Sequence, residues 1–413
     1  SLPFEASTLM PDGIIRAQGF SFNGLNTSPS GALLEYMAVL TPAQVAARAQ
    51  YDKYTANGFL EAAAKRLDLA KAQLLPKDSA RAAFHGNTGL VLEGSVLARS
   101  VASSGKRGSI DISSFGNIRL VGGDGTADES TSLRTDTLGG WGAGSLLIGG
   151  LRRETTDGTA VDVRSPSVIL DNPGNEFVAP DIILAAADQV VTEAGSALAA
   201  DNKGVAFTAD PLLLAGEGAL LAVSADKNAI SIRSGVGSGE GGSILSVGAG
   251  SALSGASVTM DSSSGLSLDF TSAIAARTLT MSSGQISVLM GPDEGDLDGS
   301  VVENHLVLDD EILSQFGSLE TLRLVSYQSI DLYGSGALGS SELGRLELLS
   351  GGLRGFGSGD CNASISANTL VLANPNSVSA LPVYGEDMGS LTIEAGSVIL
   401  SAGAFSASGY GQF

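Results

Sequence analysis

Apolar and polar residues alternate along residues 257–288 in two short segments, and both segments then recur. The pattern of Val258–Met260 returns 21 residues later as Leu279–Met281, and that of Leu266–Leu268 returns 20 residues later as Ile286–Val288. Strict alternation predicts strands with one buried face. Recurrence at a fixed period indicates stacked structural repeats. The pattern therefore predicts a β-solenoid, in which the strands of one turn, or rung, lie on those of the next.

Alternating segments of the same kind occur along much of the chain. Pairs of such segments 7 or 8 residues apart are found at 110–112 and 118–120, at 322–324 and 330–332, and at 391–393 and 398–400. Between rungs, Leu322 precedes Leu346 by 24 residues, and Leu370 precedes Leu391 by 21. These pairs are predicted stacking neighbours. A large array of β-sandwiches is the alternative architecture.

Residues 41–82 differ from the alternating segments because they are rich in Ala, Lys and Arg and predict helix. Thr41 fits a helix N-cap and Pro42 the first helical position, and Gln44, three residues after the cap, completes a capping box. Helices are predicted over 42–56 and 58–74.

Breaks in this helical segment are predicted at Asn57-Gly58 and at Pro76. The predicted organisation is then N-terminal β-helix rungs over 1–40, an inserted α-helical hairpin over 41–82, and the main β-helical shaft over 83–413. The insertion is expected to cover one side of the coil or to offer a contact surface.

The composition fits a narrow, stacked β structure. The 413 residues include 55 Gly, and aromatic residues make up 5%. Gly allows the sharp corners between short strands, and aliphatic side chains suit a thin core better than large rings. The fold class predicted from the sequence is all-β.

The formal net charge of −21 bears on partners. It argues against nucleic acid, whose binding requires a basic surface, and against anionic membrane surfaces.

No run of about 20 apolar residues is present, so membrane insertion is not expected. Cys361 is the only cysteine, so no disulfide within the chain is possible. The start at Ser1, without a basic leader, predicts a processed chain or a piece of a longer one.

Two loops carry partial binding motifs. Residues 237–242 match G-x-G-x-x-G, but a strand follows where a phosphate-binding site needs a helix. Glu294, Asp296 and Asp298 occupy alternate positions of an EF-hand-like loop, but His305 stands where a bidentate Glu is required. We therefore predict a flexible corner at 237–242 and a solvated acidic loop at 293–299, with a loose calcium site as the alternative. No cofactor and no metal ligand are predicted.

Residues for nucleophilic catalysis are few. His85, His305 and Cys361 are the only histidines and the only cysteine, and no base lies close to Cys361 in sequence. A β-helical polysaccharide lyase or hydrolase is an alternative, and it would need converging carboxylates with Arg or Lys beside them. The acidic residues are instead scattered along the chain, and Trp141 is the only tryptophan. No catalytic residue and no enzyme activity are predicted.

Three segments resemble the shaft repeats of filamentous-haemagglutinin-like exoproteins of Gram-negative bacteria, which are exported by two-partner secretion. They are Ser-Leu-Leu-Ile-Gly-Gly (145–150), Ala-Pro-Asp-Ile-Ile-Leu-Ala-Ala (179–186), and Gly-Ser-Leu-Thr-Ile-Glu-Ala-Gly-Ser-Val-Ile-Leu-Ser-Ala-Gly (389–403). The resemblance implies a right-handed parallel β-helix, passage through an outer-membrane β-barrel transporter, and display at the cell surface or secretion. It implies no catalytic residue in the shaft. The family's N-terminal secretion domain is not found, as expected for an internal segment.

The function expected on these grounds is that of a structural or adhesive shaft segment of a bacterial adhesin, acting in attachment or biofilm. Its expected partners are a host or neighbouring-cell receptor or glycan, with self-association as a further alternative. The loops at 41–82, 122–140 and 291–300 are the predicted contact regions. The stalk of a contact-dependent toxin remains an alternative of another class.

Overall fold

Strands dominate the computed structural model of this chain, with 51% of residues in strands and 9% in helices, arranged in several sheets. The prediction of an all-β protein is thereby confirmed. The structure describes residues 8–11, 14–21, 33–48, 55–69, 75–87, 89–92, 94–100, 105–123, 131–203, 208–237, 242–291, 305–317, 319–356, 362–379 and 389–412. The chain divides into two units, Ser1–Pro76 and Lys77–Phe413.

The first unit contains β1 (Thr8–Leu9), β2 (Ile15–Ser21), β3 (Leu33–Val39), α1 (Pro42–Arg48) and α2 (Ala56–Arg66). The three strands form an antiparallel sheet in the order β1-β2-β3, with Ile15 opposite Val39. The parallel rungs predicted for residues 1–40 are therefore wrong in strand direction. Strands that follow one another in sequence can pair antiparallel without a crossover, whereas parallel pairing needs one.

The two helices begin at side-chain caps. The predicted capping box of α1 is confirmed, because the Gln44 amide donates to Thr41 Oγ1 at 3.3 Å and the Thr41 amide donates to Gln44 Oε1 at 2.8 Å. In α2, Thr55 Oγ1 accepts from the Gly58 amide at 3.1 Å. Asn57 and Gly58 consequently lie in the first turn of α2 and do not separate two helices. The cap satisfies an N-terminal amide and sets the helix start, and α2 ends at Arg66, short of the predicted residue 74.

The second unit contains the remaining strands and two short helices. Its first part comprises β4 (Arg81–Gly86), β5 (Ser109–Ser114), β6 (Ile118–Val121), β7 (Thr131–Arg134), α3 (Thr135–Gly140), β8 (Ser145–Ile148), β9 (Gly150–Glu154), β10 (Thr159–Val163), β11 (Ser167–Asp171), β12 (Phe177–Ala179), β13 (Asp181–Ala186), β14 (Gln189–Thr192), β15 (Ala197–Ala200), β16 (Leu212–Ala215), β17 (Ala219–Ser224) and β18 (Ser231–Ser234). Its second part comprises β19 (Ile244–Val247), β20 (Ala252–Ser254), β21 (Ser257–Ser262), β22 (Gly265–Leu268), β23 (Ala273–Ala275), β24 (Thr278–Ser283), β25 (Gln285–Met290), β26 (His305–Leu308), α4 (Asp310–Ser314), β27 (Thr321–Ser326), β28 (Ile330–Gly334), β29 (Gly336–Gly339), β30 (Arg345–Leu349), β31 (Gly352–Phe356), β32 (Asn362–Ala373), β33 (Ser390–Leu400) and β34 (Ser406–Ser408).

A twelve-stranded sheet runs along this unit in the order β29-β32-β30-β27-β24-β21-β17-β13-β8-β5-β4, with β33 beside β32. Neighbouring strands are parallel except at β17, which is antiparallel to both β13 and β21. The predicted stacking of Val258 on Leu279 and of Leu322 on Leu346 is confirmed in register.

Two other predicted stacking pairs are wrong. Leu370 lies beside Val398, not Leu391, because β32 and β33 are long strands that pair with an offset of 28 residues. Ile286 does not pair with Leu266, because both edges of β25 are occupied by β26 and β28. The strand β26 therefore lies beside β25, where the repeat pattern predicted the segment Leu266–Leu268.

Three further sheets of this unit consist only of parallel pairs. Their orders are β22-β19-β14-β11-β6-β7, β12-β15-β20-β23 and β26-β25-β28-β31-β34. The inward-facing residues of the twelve-stranded sheet form a ladder of buried aliphatic side chains in register: Ile110, Leu146, Ile182, Val223, Val258, Leu279, Leu322, Leu346 and Leu370. Each rests on the same position of the neighbouring strand, so the core continues from strand to strand.

A small sheet, β18-β16-β10-β9, covers part of the outer face of the twelve-stranded sheet. Its Val161 and Leu214 form a second apolar cluster with Leu147, Ile183 and Leu220. This cover explains why β13 is buried on both faces and is apolar at consecutive positions. The turn between β16 and the reversed strand β17 contains Gly216 and Gly218, at φ +72° and +148°, which only glycine adopts without strain.

Candidate functional site

The outer face of the five-stranded sheet β26-β25-β28-β31-β34 holds a group of ionisable and polar side chains in close contact. Asp331 of β28 and Arg354 of β31 are direct register partners. Arg354 Nε donates to Asp331 Oδ1 at 2.7 Å and its terminal nitrogen donates to Oδ2 at 2.5 Å. The Asp331 side chain is 0% exposed and that of Arg354 is 10% exposed, so this bidentate pair is held away from water.

Two further donors complete the surroundings of the Asp331 carboxylate. Gln285 Nε2 donates to Oδ2, and Ser329 Oγ donates to Oδ1 at 3.1 Å. A carboxylate offers about four acceptor positions, and four donor contacts are made here. These four contacts fix the position of the Asp331 carboxylate, which in turn orients the Arg354 guanidinium.

An aromatic pair lies beside this ion pair. Tyr333 and Phe356 are register partners on the same two strands, with ring centroids 4.9 Å apart and planes inclined by 14°. The guanidinium carbon of Arg354 lies 5.0 Å from the centroid of the Phe356 ring, within cation–π range. Burial raises the pKa of Tyr333, and the negative charge of Asp331 raises it further. The phenol therefore stays neutral.

His305 lies at the edge of the same sheet, on β26, beside Gln285 of β25. Burial lowers the pKa of His305; the Arg354 charge lowers it too, while the Asp331 charge acts in the opposite direction. Its buried Nδ1 has no hydrogen-bond partner among the described residues. The neutral imidazole is thus favoured, and it is the one titrating group of this face with an unsatisfied nitrogen in the described part of the chain.

A second buried ion pair lies on the outer face of the twelve-stranded sheet. Arg233 Nε donates to Asp261 Oδ1 at 2.9 Å, and the Tyr327 hydroxyl donates to the same oxygen at 3.1 Å. Burial and the Asp261 charge raise the pKa of Tyr327 well above its usual value. Burial alone would lower the pKa of Arg233, but the Asp261 charge raises it. Tyr327 therefore stays neutral and Arg233 stays charged.

A third buried group lies further along the same sheet. Asp111 accepts from the side chains of Arg152 at 2.5 Å and Arg81 at 2.8 Å. Ser145 Oγ, which accepts from Arg152 at 2.5 Å, donates to Asp181. Burial raises the pKa of Asp181, although the contacts with Ser145 and Arg152 oppose the shift. The surroundings of Asp181 therefore stabilise its protonated form relative to that of an exposed aspartate.

Most loops with sequence motifs fall partly or wholly outside the described residues. This holds for 238–241, for the acidic residues at 293–299 and for Cys361. The strand predicted after the glycine-rich loop is confirmed as β19. His85 lies on β4, at one end of the twelve-stranded sheet, with Nδ1 2.9 Å from Ser113 Oγ and its ring edge-on to Phe115. Among the described residues, no group of three or more His, Cys, Asp or Glu side chains forms a metal site.

The described part of the predicted contact loop 122–140 packs on the core. Leu138 of α3 is buried, and Trp141 directly after it is 2% exposed, with its ring centroid 6.0 Å from that of Phe84. The single tryptophan is therefore a core residue and offers no platform for a sugar ring.

Sequence reasoning missed Asp331 and Arg354, although a signal was present. Each is the polar residue of an alternating segment, Ile330–Leu332 and Leu353–Gly355, and they are 23 residues apart, close to the repeat period. An acid and a base at equivalent positions of successive repeats predict a cross-strand ion pair.

Comparison with protein-family models, curated proteins and solved structures finds no match to this chain. The fold and sites define a mostly β protein of several sheets with buried ion pairs on its sheet faces. No helix in the described ranges has both the length and the hydrophobicity needed to span a membrane.

Proposed function

We propose that this chain is a right-handed parallel β-helix that serves as a structural segment of a secreted or surface-displayed adhesin of the filamentous-haemagglutinin type. One observation carries the proposal: successive strands enter the sheets of the second unit in a recurring order, and all neighbours pair in parallel except at β17 and between β9 and β10. The series β13-β14-β15 and β21-β22-β23 each visit the twelve-, six- and four-stranded sheets in turn. Such recurrence is what one coil laid on another produces.

The continuous aliphatic ladder supports a mechanical role. Each strand depends on its neighbours, and apolar side chains such as Leu279 and Leu322 stack from one strand to the next. A structure of this kind can extend over a long distance without disulfides or a thick core. The net charge of −21 favours solubility and repulsion between copies at high density.

The buried ion pairs also favour a structural role over a catalytic one. A glycoside hydrolase needs two carboxyl groups that reach the glycosidic bond from both sides. Asp111, Asp261 and Asp331 are each neutralised by a guanidinium and are nearly inaccessible. We propose that they secure the register of neighbouring strands, while contact with a receptor or glycan uses surface loops.

A glycan array probed with the purified chain, with and without calcium, tests the proposed function, together with an assay for new reducing ends on the same glycans. Binding without bond cleavage is the expected result. Release of reducing ends would contradict the proposal in favour of a polysaccharide-processing enzyme. Binding only with calcium would assign a role to the acidic loop at 293–299. The absence of both binding and cleavage would contradict adhesion by this segment and leave a passive shaft.

A further inference from the structure

The charges of this chain are unevenly distributed along its sequence. Residues 1–164 contain 16 Lys or Arg and 16 Asp or Glu, so the whole net charge of −21 belongs to residues 165–413. Within the balanced part, residues 77–107 contain five Lys or Arg and two Asp or Glu. A local excess of positive charge therefore lies in a chain that is otherwise neutral or acidic.

Four cations of this segment have no ion-pair partner among the described residues, and we call them the basic patch: Lys77, Arg99, Lys106 and Arg107. Three of them are exposed, and Arg107 is half-buried. Arginines on the sheets are instead held by carboxylates, as Arg81 is by Asp111 and Arg119 by Asp171. The charges of the basic patch are therefore available to an anion from outside the chain.

Hydrogen bonds bring the patch together from separate chain segments. The Ser79 amide donates to the Lys106 carbonyl at 2.9 Å, and the Lys106 amide donates to Asp78 Oδ1 at 2.7 Å. The Gly108 amide donates to the Ala98 carbonyl at 2.7 Å. The backbone positions of the four cations are thus fixed relative to one another before any ligand binds.

Two glycines before β8 leave room for the two arginine side chains of the patch. A Cβ atom at Gly142 would lie 2.5 Å from Cγ of Arg99, and one at Gly144 would lie 2.9 Å from Cβ of Arg107. A larger residue at either position would displace the arginine beside it, because such close contacts do not occur between real side chains. Two positions along a chain span at most about 7 Å, so both arginines lie on one small area of surface.

We infer that the basic patch binds an anionic polysaccharide through the carboxylate or sulfate groups of its sugars. A guanidinium donates two parallel hydrogen bonds to a carboxylate or to a tetrahedral oxyanion. Arg99 and Arg107 supply two such groups, and Lys77 and Lys106 add point charges beside them. This inference rests on the proposed adhesive function and gives it a ligand class and a site.

A duplex nucleic acid fits this surface less well than a polysaccharide. Duplex DNA carries about one negative charge per 1.7 Å of its axis and needs a long basic surface, whereas residues 165–413 are strongly acidic. Trp141, next to Gly142 in the chain, is 2% exposed, so its ring cannot stack on a base. A polysaccharide with its charges spaced along the sugars requires only a local group of cations.

Biolayer interferometry of the full 413-residue chain on polygalacturonate, dextran sulfate and neutral dextran tests the inference. Binding to a charged polymer is expected at low salt, and it should disappear at about 1 M salt, where the screening length falls to about 3 Å. Neutral dextran should not bind. Tighter binding to polygalacturonate would identify carboxylate as the recognised group, and tighter binding to dextran sulfate would identify sulfate.

Substitutions show whether the basic patch carries this binding. Lys106→Gln with Arg107→Gln should weaken it at least about tenfold, because two of the four charges are lost. Lys203→Gln with Arg277→Gln is the matched control, since it also removes one Lys and one Arg, both exposed and outside the patch. This control should bind as the wild type does.

A second double variant, Lys77→Gln with Arg99→Gln, changes only exposed side chains and should reproduce the loss with an unchanged thermal unfolding midpoint. Equal losses for the patch and control variants, or binding that persists at about 1 M salt, would overturn the inference. Tighter binding to duplex DNA than to either polysaccharide would also overturn it. Binding to neutral glycans alone would overturn it and leave the proposed adhesion intact. Release of reducing ends from a polymer bound at the patch would instead contradict the adhesive function and support the patch.

Discussion

Arg354 lies directly beside Asp331 on the neighbouring parallel strand and holds it through two hydrogen bonds of 2.5 and 2.7 Å. Both side chains are almost completely buried. A shift of one residue in register would turn Asp331 into the apolar core, where an unpaired carboxylate is very costly. The pair therefore specifies the alignment of β28 and β31 more strongly than aliphatic contacts can.

Removal of one partner of this pair should be strongly destabilising. Arg354→Met leaves the buried Asp331 carboxylate without its counter-charge, and we expect a loss of about 3–5 kcal/mol in the free energy of unfolding. The double variant Asp331→Leu, Arg354→Met should recover most of that loss, because no unpaired charge remains. Urea unfolding followed by circular dichroism measures both.

The pair Arg119–Asp171 provides a matched control for this prediction. Its nitrogen–oxygen distance is 2.8 Å, close to those of the Asp331–Arg354 pair, but its two side chains are 24% and 33% exposed. Arg119→Met should cost at most about 1 kcal/mol. Equal losses for Arg354→Met and Arg119→Met would show that burial of the Asp331 pair has no energetic consequence.

Truncation within the aliphatic ladder should be costly throughout its length. Leu279 is fully buried between Val258 and Leu322, so Leu279→Ala should destabilise the second unit by about 2–5 kcal/mol. Leu97, which is 81% exposed, is the matched position, and Leu97→Ala should change stability by less than about 0.5 kcal/mol. Chemical denaturation distinguishes the two, and a small effect at Leu279 would contradict the observed stacking.

His305 should make the stability of the fold depend on pH near neutrality. Burial and the Arg354 charge place the pKa of His305 in the folded chain below the ordinary value of 6.5. As the pH falls, His305 is therefore protonated in the unfolded chain at a higher pH than in the folded chain. The contribution of neutral His305 is then present above pH 6.5 and is lost as the pH falls below it. Unfolding midpoints measured from about pH 8 to pH 5 should fall less for His305→Gln than for the wild type. A fall as large for His305→Gln as for the wild type would contradict this assignment.

Asp181 should make the stability of the fold change with pH in the direction opposite to His305. Burial raises its folded pKa above 3.8, so its contribution to stability is present at low pH and is lost as the pH rises through the folded pKa. Asp181→Asn should therefore be at least as stable as the wild type at neutral pH, and its relative stability should decline in acid. The measurement is the thermal unfolding midpoint of the wild type and of Asp181→Asn, followed from neutral to acidic pH. A loss at neutral pH as large as that from Arg354→Met would show that the fold requires the charged form.

The alternation of Val258–Met260 and Leu279–Met281 was sufficient to predict two neighbouring strands and their register. In a strand the side-chain period is two residues, so the face turned to the aliphatic core leaves a direct trace in the sequence. The prediction that only this face is buried was wrong, because the polar positions of both strands, such as Thr259 and Thr280, are buried as well. The capping box of Thr41 and Gln44 was predictable for a similar reason, because its two hydrogen bonds join residues only three positions apart. Local chemistry was enough in both cases.

The reversal of β17 could not be predicted in this way. Ala219–Val223 is apolar at every position, so it carries no alternation, and a strand pattern has no direction. The small sheet that covers Leu220 on the outer face decides where this strand lies. The position of β26 beside β25 could not be predicted either, because Leu306 and Leu266 are equivalent apolar partners for Ile286.

The sequence by itself thus determined the all-β class, the apolar ladder and the helix start at Thr41, because each depends on residues close in the chain or on a strict period. Only the tertiary structure decided the direction of β17, the offset pairing of β32 with β33 and the ion pair of Asp331 with Arg354. These features depend on which distant strands become neighbours, and many equally apolar strands compete for each place. Burial then makes the free-energy differences between these arrangements large, because an unpaired charge away from water is very costly.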